Sequence, residues 1–248
     1  MYTWRLTLEY DGRAYCGWQL QPTGVSIQQR LEEALATVLA GESVRVTASG
    51  RTDAGVHALG QVVSLRCEAR RPAKAFVAGL NSLLPPDIAV LEASPVPAEF
   101  HARYSAIGKH YRYRILAAPA RSALRDGRVW HLREPLDVGA MQCALDAVVG
   151  EHDFSSFRAR KCGANHPVRE LRAARIRSVD DELWLEFHGS GFLRHMVRNL
   201  VGSAVEVGRG SRAPGWMAEV LKARDRSQAG PTAPGCGLYL VRVDYPEP

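Results

Sequence analysis

The sequence predicts an α+β protein built from two ferredoxin-like β-α-β-β-α-β units, with a mainly antiparallel sheet and helices on one side of it. Residues 2–10 alternate strictly between apolar and polar side chains, which is typical of a strand with one buried face. Residues 26–41 carry an apolar stripe at helical spacing. The same order of strand and helix patterns returns in the second half of the chain, which indicates a duplication.

The first half reads in order as β-α-β-β-α-β. Ser26 and Gln29 have the spacing of a capping box, and Gly41 marks the end of the helix that they begin. After that helix we expect strands near 44–48 and 61–67, a helix near 73–82 that Pro85 and Pro86 stop, and a strand at 88–91.

The second half repeats this order with one additional helix. Ser190 is expected to be the N-cap of the long helix. The two units are predicted as residues 1–104 and 105–248, and the face without helices, or a cleft between the units, is left for a large ligand. The predicted elements are a strand at 109–116, a helix capped by Asp137, strands near 170–179 and 183–187, helices at 192–207 and near 216–222, and a strand at 237–245.

Composition narrows the class of protein. No apolar run among the 248 residues approaches the length of a membrane helix, and the alternating N-terminus does not resemble a signal peptide. The five cysteines are an odd number without a C-x-x-C pair, so they suggest neither a disulfide framework nor a zinc site. We therefore expect a cytoplasmic protein that has no association with a membrane.

Two basic segments favour a nucleic-acid partner over a merely solvated surface. Residues 157–177 carry six arginines and Lys161 against the single acid Glu170, and residues 101–114 interleave four basic residues with three tyrosines. Basic groups attract phosphates, and aromatic rings stack on unpaired bases. RNA is favoured over duplex DNA because no helix-turn-helix or zinc-finger pattern is present.

The stretch G-R-T-D-A-G-V-H-A at 50–58 places one carboxylate, Asp53, among small residues. One interpretation is a turn, in which Gly55 supplies a positive φ. The other is a reactive carboxylate, because the small neighbours leave space for a bulky ligand and a turn does not require Arg51 or His57. The stretch alone does not separate these two interpretations.

Two further residues carry both a structural and a functional interpretation. Arg198 on the late helix is either an exposed helix arginine or the ion partner of a buried carboxylate, which it would keep charged. Tyr111 is either a core tyrosine or a flat surface for a base that has left its stack. No P-loop, dinucleotide fingerprint or set of metal ligands is present, so no cofactor is expected.

Several segments, in register along the chain, resemble the motifs of one family. The segments are G-R-T-D-A-G-V-H-A-x-G-Q-V at 50–62, F-H-A-R-Y-S-A at 100–106, Y-R-Y at 111–113, E-H-D-F-S-S-F-R-A at 151–159, F-L-R-H-M-V-R-N-L-V-G at 192–202 and G-L-Y-L-V-R-V-D-Y-P at 237–246. Together with E-Y-D-G-x-x-Y-x-G-W at 9–18, they resemble the tRNA pseudouridine synthase A family over almost the whole chain. His166 stands where that family has threonine, which bears only on local RNA contacts.

The resemblance implies a pseudouridine-synthase fold and the isomerisation of uridine to pseudouridine at positions 38, 39 and 40 of the tRNA anticodon stem-loop. It implies that Asp53 is the nucleophile, that Tyr111 packs on the target base and that Arg198 is the arginine of the late helix. It also implies a homodimer with one tRNA spanning both subunits, and no metal or organic cofactor.

The chemistry requires an ionised carboxylate that lies close to the sugar and is shielded from water. That carboxylate adds to the uracil ring, adds to C1′ or removes a ribose proton, and the sequence does not choose among these. Arg51 is expected to fill the space that the extruded base leaves, or to bind phosphate. The competing hypotheses are a non-catalytic tRNA-binding protein or RNA chaperone on the same scaffold, and a nuclease or glycosidase, which would usually need a second acid or a metal.

Overall fold

The computed structural model describes residues 1–69, 71–160 and 162–246, which form two units. The first unit consists of Met1–Ile107 together with the C-terminal segment from Tyr239, and the second consists of Gly108–Leu238. The sequence prediction divides the chain at residues 104 and 105 and leaves the last strand in the second unit. The structure groups that strand with the first unit, where Tyr239 pairs with His57.

The first unit has the predicted order of elements. Antiparallel pairing gives the sheet order β4-β1-β3, and β2 lies beside the far edge of β3. The C-terminal strand β10 runs parallel to the start of β3 on that same edge. The elements are β1 (Tyr2–Tyr10), α1 (Ile27–Val38), β2 (Thr47–Ala48), β3 (His57–Cys67), α2 (Ala73–Leu83), β4 (Ile88–Val96) and β10 (Leu238–Asp244).

The alternation in β1 produces its two faces. Trp4, Leu6 and Leu8 are buried on one face, and the Trp4 ring lies 4.6 Å from the Phe76 ring of α2. Burial of each large apolar side chain stabilises the folded state by about 1.5–3 kcal/mol. Helix α2 therefore packs on the apolar face of β1.

The predicted N-terminus of α1 is confirmed. The Ser26 hydroxyl accepts a hydrogen bond from the Gln29 backbone N–H at 3.2 Å. Between these two described residues the reciprocal half of the capping box does not form, and the Gln29 side-chain N–H donates to Glu33 at 2.9 Å. Gly41 has a φ of +96° just beyond the helix, which supports its predicted role in ending the helix.

The second unit contains more strands than predicted. Its antiparallel sheet has the order β5-β9-β8-β7, and β6 lies parallel to β5. The α+β class and the mainly antiparallel sheet are confirmed. The elements are β5 (Gly108–Ala117), β6 (Trp130–Leu132), α3 (Val138–Asp146), β7 (Gly150–Asp153), β8 (Val168–Val179), β9 (Glu182–Gly189), α4 (Met196–Gly208) and α5 (Trp216–Ala223).

The start of the late helix was predicted wrongly. The prediction begins it at residue 192 with Ser190 as the cap, whereas α4 begins at Met196 after His195. His195 has a φ of +64°, and this left-handed conformation separates residues 192–194 from the helix. The Ser190 hydroxyl accepts a bond from the Glu170 backbone N–H and so joins two strands rather than capping a helix.

The prediction that Asp137 caps α3 is confirmed, since its carboxylate accepts a bond from the Ala140 backbone N–H at 2.9 Å. Gln142 on α3 then bonds to the backbone of both Ala174 and Ile176 on β8, which fixes this helix to the sheet. In the ranges of the chain that the structure describes, none of the helices combines the length and the apolar character needed to cross a membrane.

Candidate active site

Asp53 lies in the loop of residues 49–56 that joins β2 to β3 in the first unit. Gly55 has a φ of +74°, and the Val56 backbone N–H donates to the Asp53 carbonyl at 3.1 Å. This closing bond uses the main chain of Asp53 rather than its carboxylate. The loop therefore contains a turn that is closed by main-chain atoms, and the Asp53 carboxylate is not part of that bond. The structural and the functional interpretation of this stretch are thus compatible.

Thr52 anchors the loop on the residue before Asp53. Its carbonyl accepts a hydrogen bond from the Trp18 backbone N–H at 3.0 Å, and its hydroxyl lies 2.8 Å from the Tyr10 hydroxyl. Burial raises the pKa of Tyr10 to about 12, although its side-chain bonds to Thr52 and Gln61 act in the opposite direction. Tyr10 therefore stays protonated at neutral pH and can hold Thr52 by a neutral hydrogen bond.

Gln61 anchors the start of the loop from β3. It is fully buried; its amide N–H donates to the Gly50 carbonyl at 2.9 Å, and its carbonyl accepts from the Ser49 hydroxyl at 2.7 Å. A buried amide with these partners is costly to replace, because any change leaves a polar group unpaired. The loop that carries Asp53 is thus tied to the sheet on both sides.

Two glycines of residues 11–18 allow a second segment to pass against this loop. A Cβ atom on Gly17 would lie 2.7 Å from the Thr52 carbonyl oxygen, and one on Gly12 would lie 2.0 Å from the Val56 carbonyl oxygen. The Gly12 backbone N–H also donates to His57 Nδ1 at 3.2 Å. Only glycine fits at these two positions without moving backbone.

Sequence reasoning did not identify these supporting residues. The sequence predicts of His57 only that a turn does not need it, whereas in the structure it is buried and its imidazole stacks on Tyr239 with ring centroids 4.6 Å apart. In the segment E-Y-D-G-x-x-Y-x-G-W, the two glycines are the sequence signal for a close backbone approach.

Arg51 lies two residues before Asp53 and is exposed. Within the described part of the chain, its guanidinium makes no hydrogen bond or ion pair with another residue. A guanidinium in this state carries five N–H donors that can bind phosphate in a fork geometry. The structure therefore places an exposed cation, without an ion pair in the described ranges, on the same loop as Asp53.

Tyr111 belongs to β5 in the second unit. It is only 9% exposed, pairs across the sheet with Phe187 and meets the Phe192 ring edge-on, with centroids 5.0 Å apart. Edge-to-face contacts of this kind fix the orientation of an aromatic ring. Tyr111 is thus a rigid and largely buried ring.

Arg198 is held in the first turn of α4. Its Nε–H donates to the Ala233 carbonyl at 2.7 Å, while its own carbonyl accepts from the Ala233 backbone N–H at 3.1 Å. The segment that contains Ala233 is fixed in turn, because the Gly230 backbone N–H donates to the Ser203 hydroxyl of the same helix. Arg198 is therefore an oriented arginine rather than a mobile one on the surface.

Beside Arg198, the hydroxyl of Tyr113 donates to the Pro234 carbonyl at 2.8 Å. Burial raises the pKa of Tyr113 well above its ordinary value, and the charge of Arg198 acts in the opposite direction. Tyr113 thus remains a neutral donor at neutral pH and gives this segment a second attachment to the sheet.

The two basic segments are only partly available to phosphate. Arg112 bonds to Glu186, Arg114 forms a two-point bond with Glu182, and Arg172 bonds to Glu170. Arg103 and Arg175 are exposed and make no ion pair within the described ranges, whereas the charge of Arg160 acts on Asp225. Lys161 lies outside the described residues. The predicted phosphate-binding surface is therefore smaller than the sequence suggests.

An anchored loop with one carboxylate beside an exposed arginine, in a chain of net charge +6, is the kind of site expected of an enzyme that acts on RNA. A family model described as tRNA pseudouridine synthase matches residues 7–105 and 144–246. The chain belongs to the tRNA pseudouridine synthase family. This confirms the predicted family and, with it, the predicted enzyme class, an isomerase acting on tRNA.

Curated relatives agree with this assignment. A protein of Thiobacillus denitrificans named tRNA pseudouridine synthase A is 50% identical over 240 residues, which is 96% of this chain and 92% of that protein. Its namesake from Geotalea daltonii is 49% identical over 241 residues, 97% of this chain and 98% of that protein. Among solved structures, a Cbf5-Nop10-Gar1 complex is matched with a TM-score of 0.37 at 12% identity, covering 82% of this chain and 45% of that one, a likeness too weak to support a conclusion.

Proposed function

We propose that the chain converts uridine to pseudouridine at positions 38, 39 and 40 of the tRNA anticodon stem-loop, with Asp53 as the nucleophile. Family membership supports the reaction. The observation that supports Asp53 is its loop, which Thr52 and Gln61 tie to neighbouring segments by buried hydrogen bonds. A reactive group must be held in position in this way, because misplacement by about 1 Å can cost a factor of about 100 in rate.

The reaction breaks the bond between ribose C1′ and uracil N1 and forms a bond between C1′ and C5. The proton on C5 is replaced by one on N1, so no atom is gained or lost. An ionised Asp53 can start this exchange at the ring, at C1′ or at a ribose proton. In every case the uracil must first leave its stack, because the reacting atoms are covered inside a stem.

The other predicted residues receive supporting roles. Tyr111 is proposed to pack on the uracil, and its rigid ring would lose little entropy on doing so. Arg198 is proposed to keep Asp53 ionised by its charge. Arg51 is proposed to bind an RNA phosphate or to fill the space that the base leaves, for which its exposed guanidinium is suited.

We also propose that the protein acts in the cytoplasm as a homodimer with tRNA as its macromolecular substrate. All five cysteines are present as thiols, which is compatible with a reducing compartment. When exposed arginines such as Arg51 bind phosphates, they displace the counterions that are condensed on the RNA, so affinity for tRNA should fall steeply with salt. A flat response between about 50 and 200 mM salt would contradict phosphate binding by these arginines.

The test is incubation of the purified protein with an unmodified tRNA transcript, followed by mapping of pseudouridine. We expect wild type to modify uridines at positions 38–40 and Asp53→Asn to form no detectable product while its Kd for tRNA stays within a few-fold. Asp180→Asn is the matched control, because Asp180 is an exposed turn residue. Unimpaired turnover by Asp53→Asn would refute the assignment of Asp53 as the nucleophile. Binding of tRNA by wild type without formation of product would favour the non-catalytic alternative.

Tyr111→Phe separates stacking from hydroxyl chemistry. The substituted ring keeps its edge contact with Phe192 and its flat surface, so we expect a substantial fraction of the turnover to remain. Single-turnover rates on saturating tRNA measure this fraction. A complete loss of turnover with unchanged tRNA affinity would assign the essential function to the hydroxyl group instead.

A further inference from the structure

The segment of residues 100–107 in the first unit forms a rigid turn on the sheet. The Ser105 backbone N–H donates to the His101 carbonyl at 2.9 Å, and the His101 backbone N–H donates back to the Ser105 hydroxyl at 3.1 Å. The fully buried Ala102 donates to the Ser64 hydroxyl of β3 and accepts from the Tyr245 hydroxyl at 2.6 Å. The turn is thus fixed to two other segments of its unit.

This turn displays an aromatic ring to solvent. Tyr104 is 76% exposed, the highest value among the eight tyrosines of the chain. Its ring stacks on the His101 imidazole with centroids 4.3 Å apart and planes 30° apart, and the Arg103 guanidinium lies 5.5 Å from its centroid. The backbone N–H groups of Arg103 and Tyr104 both donate to His101 Nδ1 at 3.2 Å, which fixes the imidazole beneath the ring.

The charge around Tyr104 selects its partner. Arg103 is exposed and forms no ion pair within the described ranges, and residues 100–107 contain no acid. A planar ring on a rigid support, with the Arg103 guanidinium 5.5 Å from its centroid, suits a base and its phosphate, because the base stacks and the phosphate is neutralised.

We infer that Tyr104 is a stacking platform for an unpaired base of the RNA substrate and that Arg103 binds a phosphate next to that base. The inference rests on the proposed function only in taking tRNA as the substrate. Tyr104 belongs to a different segment from the loop of residues 49–56 that carries Asp53, and we expect it to contribute to binding rather than to the chemical step. Such a contribution changes KM and leaves kcat unaltered.

The experiment compares Tyr104→Leu, Tyr104→Phe and the control Tyr2→Leu in binding and turnover with an unmodified tRNA transcript. Tyr2 is a second exposed tyrosine of the same unit, which controls for the loss of surface area. We expect Tyr104→Leu to raise both Kd and KM by about five- to a hundredfold with kcat within about twofold. Tyr104→Phe, which keeps a stacking ring, and Tyr2→Leu should remain within about twofold of wild type.

Further arms separate the possible failures. Arg103→Gln should lower the slope of log K against log salt by about one. Unchanged Kd in Tyr104→Leu would overturn the inference, as would a change in oligomeric mass with no change in RNA binding, since that would identify a protein partner. Wild type that binds tRNA but forms no pseudouridine would refute the proposed function alone, because the comparison of Kd values would still test the platform.

Discussion

Gly17→Ala is the sharpest perturbation of the loop that carries Asp53. Gly17 has a φ of +106°, and an added Cβ would lie 2.7 Å from the Thr52 carbonyl oxygen and 3.1 Å from the Asp53 carbonyl carbon. Both neighbours are backbone atoms, which cannot rotate away. Ordinary contacts of a Cβ begin at 3.4 Å, so one of the two segments must move by about 0.7 Å.

The structure contains a control that separates the two costs of this substitution. Gly41 has a comparable φ of +96°, but nothing lies within 4 Å of the position that its Cβ would occupy. Gly41→Ala therefore bears only the backbone strain, about 1–3 kcal/mol. Gly17→Ala bears that strain and the overpacking term, about 1–3 kcal/mol more in the free energy of unfolding.

The consequence for catalysis follows from the displacement. A shift of this size at Thr52 moves Asp53 away from its position, and we expect kcat to fall about ten- to hundredfold. Urea denaturation of both variants gives the difference in stability, and single-turnover pseudouridine formation gives kcat per folded molecule. Gly17→Ala with the turnover and stability of Gly41→Ala would show that this contact does not position the loop.

Three further perturbations test the supports and the charges. Gln61→Leu should lose about 2–4 kcal/mol in urea unfolding, because it removes the hydrogen bonds to Ser49, Gly50 and the Tyr10 hydroxyl and leaves the Gly50 carbonyl without its donor. A loss below about 0.5 kcal/mol, the lower end for a single hydrogen bond, would contradict the anchoring role. Tyr10→Phe should cost about 1 kcal/mol, since it deletes the bond to Thr52 and the longer one from Gln61, and equal melting temperatures would refute it. Burial acts to raise the pKa of Glu182, but hydrogen bonds from Arg114 and Trp184 hold this pKa below the ordinary value of 4.5. The ionised carboxylate therefore stabilises the fold above pH 4.5, and this stabilisation is lost as the pH falls through the lower pKa of the folded state. Thermal unfolding measured from about pH 6 to pH 3 should show a smaller loss of stability in Glu182→Gln than in wild type, and parallel curves would contradict this.

The local elements were predictable because their signals are local. Strict alternation gave β1, and the caps of α1 and α3 depend on residues three apart in the sequence. The start of α4 was not predictable from the apolar stripe, because residues 192–195 continue that stripe while His195 adopts a left-handed conformation. The strands β6 and β7 have only three and four residues, too few for a periodic pattern.

The candidate site divides in the same way. Asp53 and Arg51 could be proposed from the sequence because an acid and a base among small residues form an unusual local composition. Their supports were not, because Tyr10 contacts Thr52 across 42 positions of the sequence and Gln61 lies 11 positions from Gly50. Contacts of this range depend on which strands pair, and periodicity reports only which face of a strand is buried.

Strand pairing also changes what the arginine content means for RNA binding. Arg112 and Arg114 are opposite Glu186 and Trp184 in the β5–β9 register, so each lies within reach of a carboxylate from β9. An arginine that already neutralises a carboxylate must give up that bond before it can meet a phosphate, and its net contribution to counterion release is small. The electrostatic attraction for tRNA therefore depends on the arginines that stay exposed without an ion pair in the described ranges, of which Arg51 and Arg103 lie next to the two features proposed to contact the substrate.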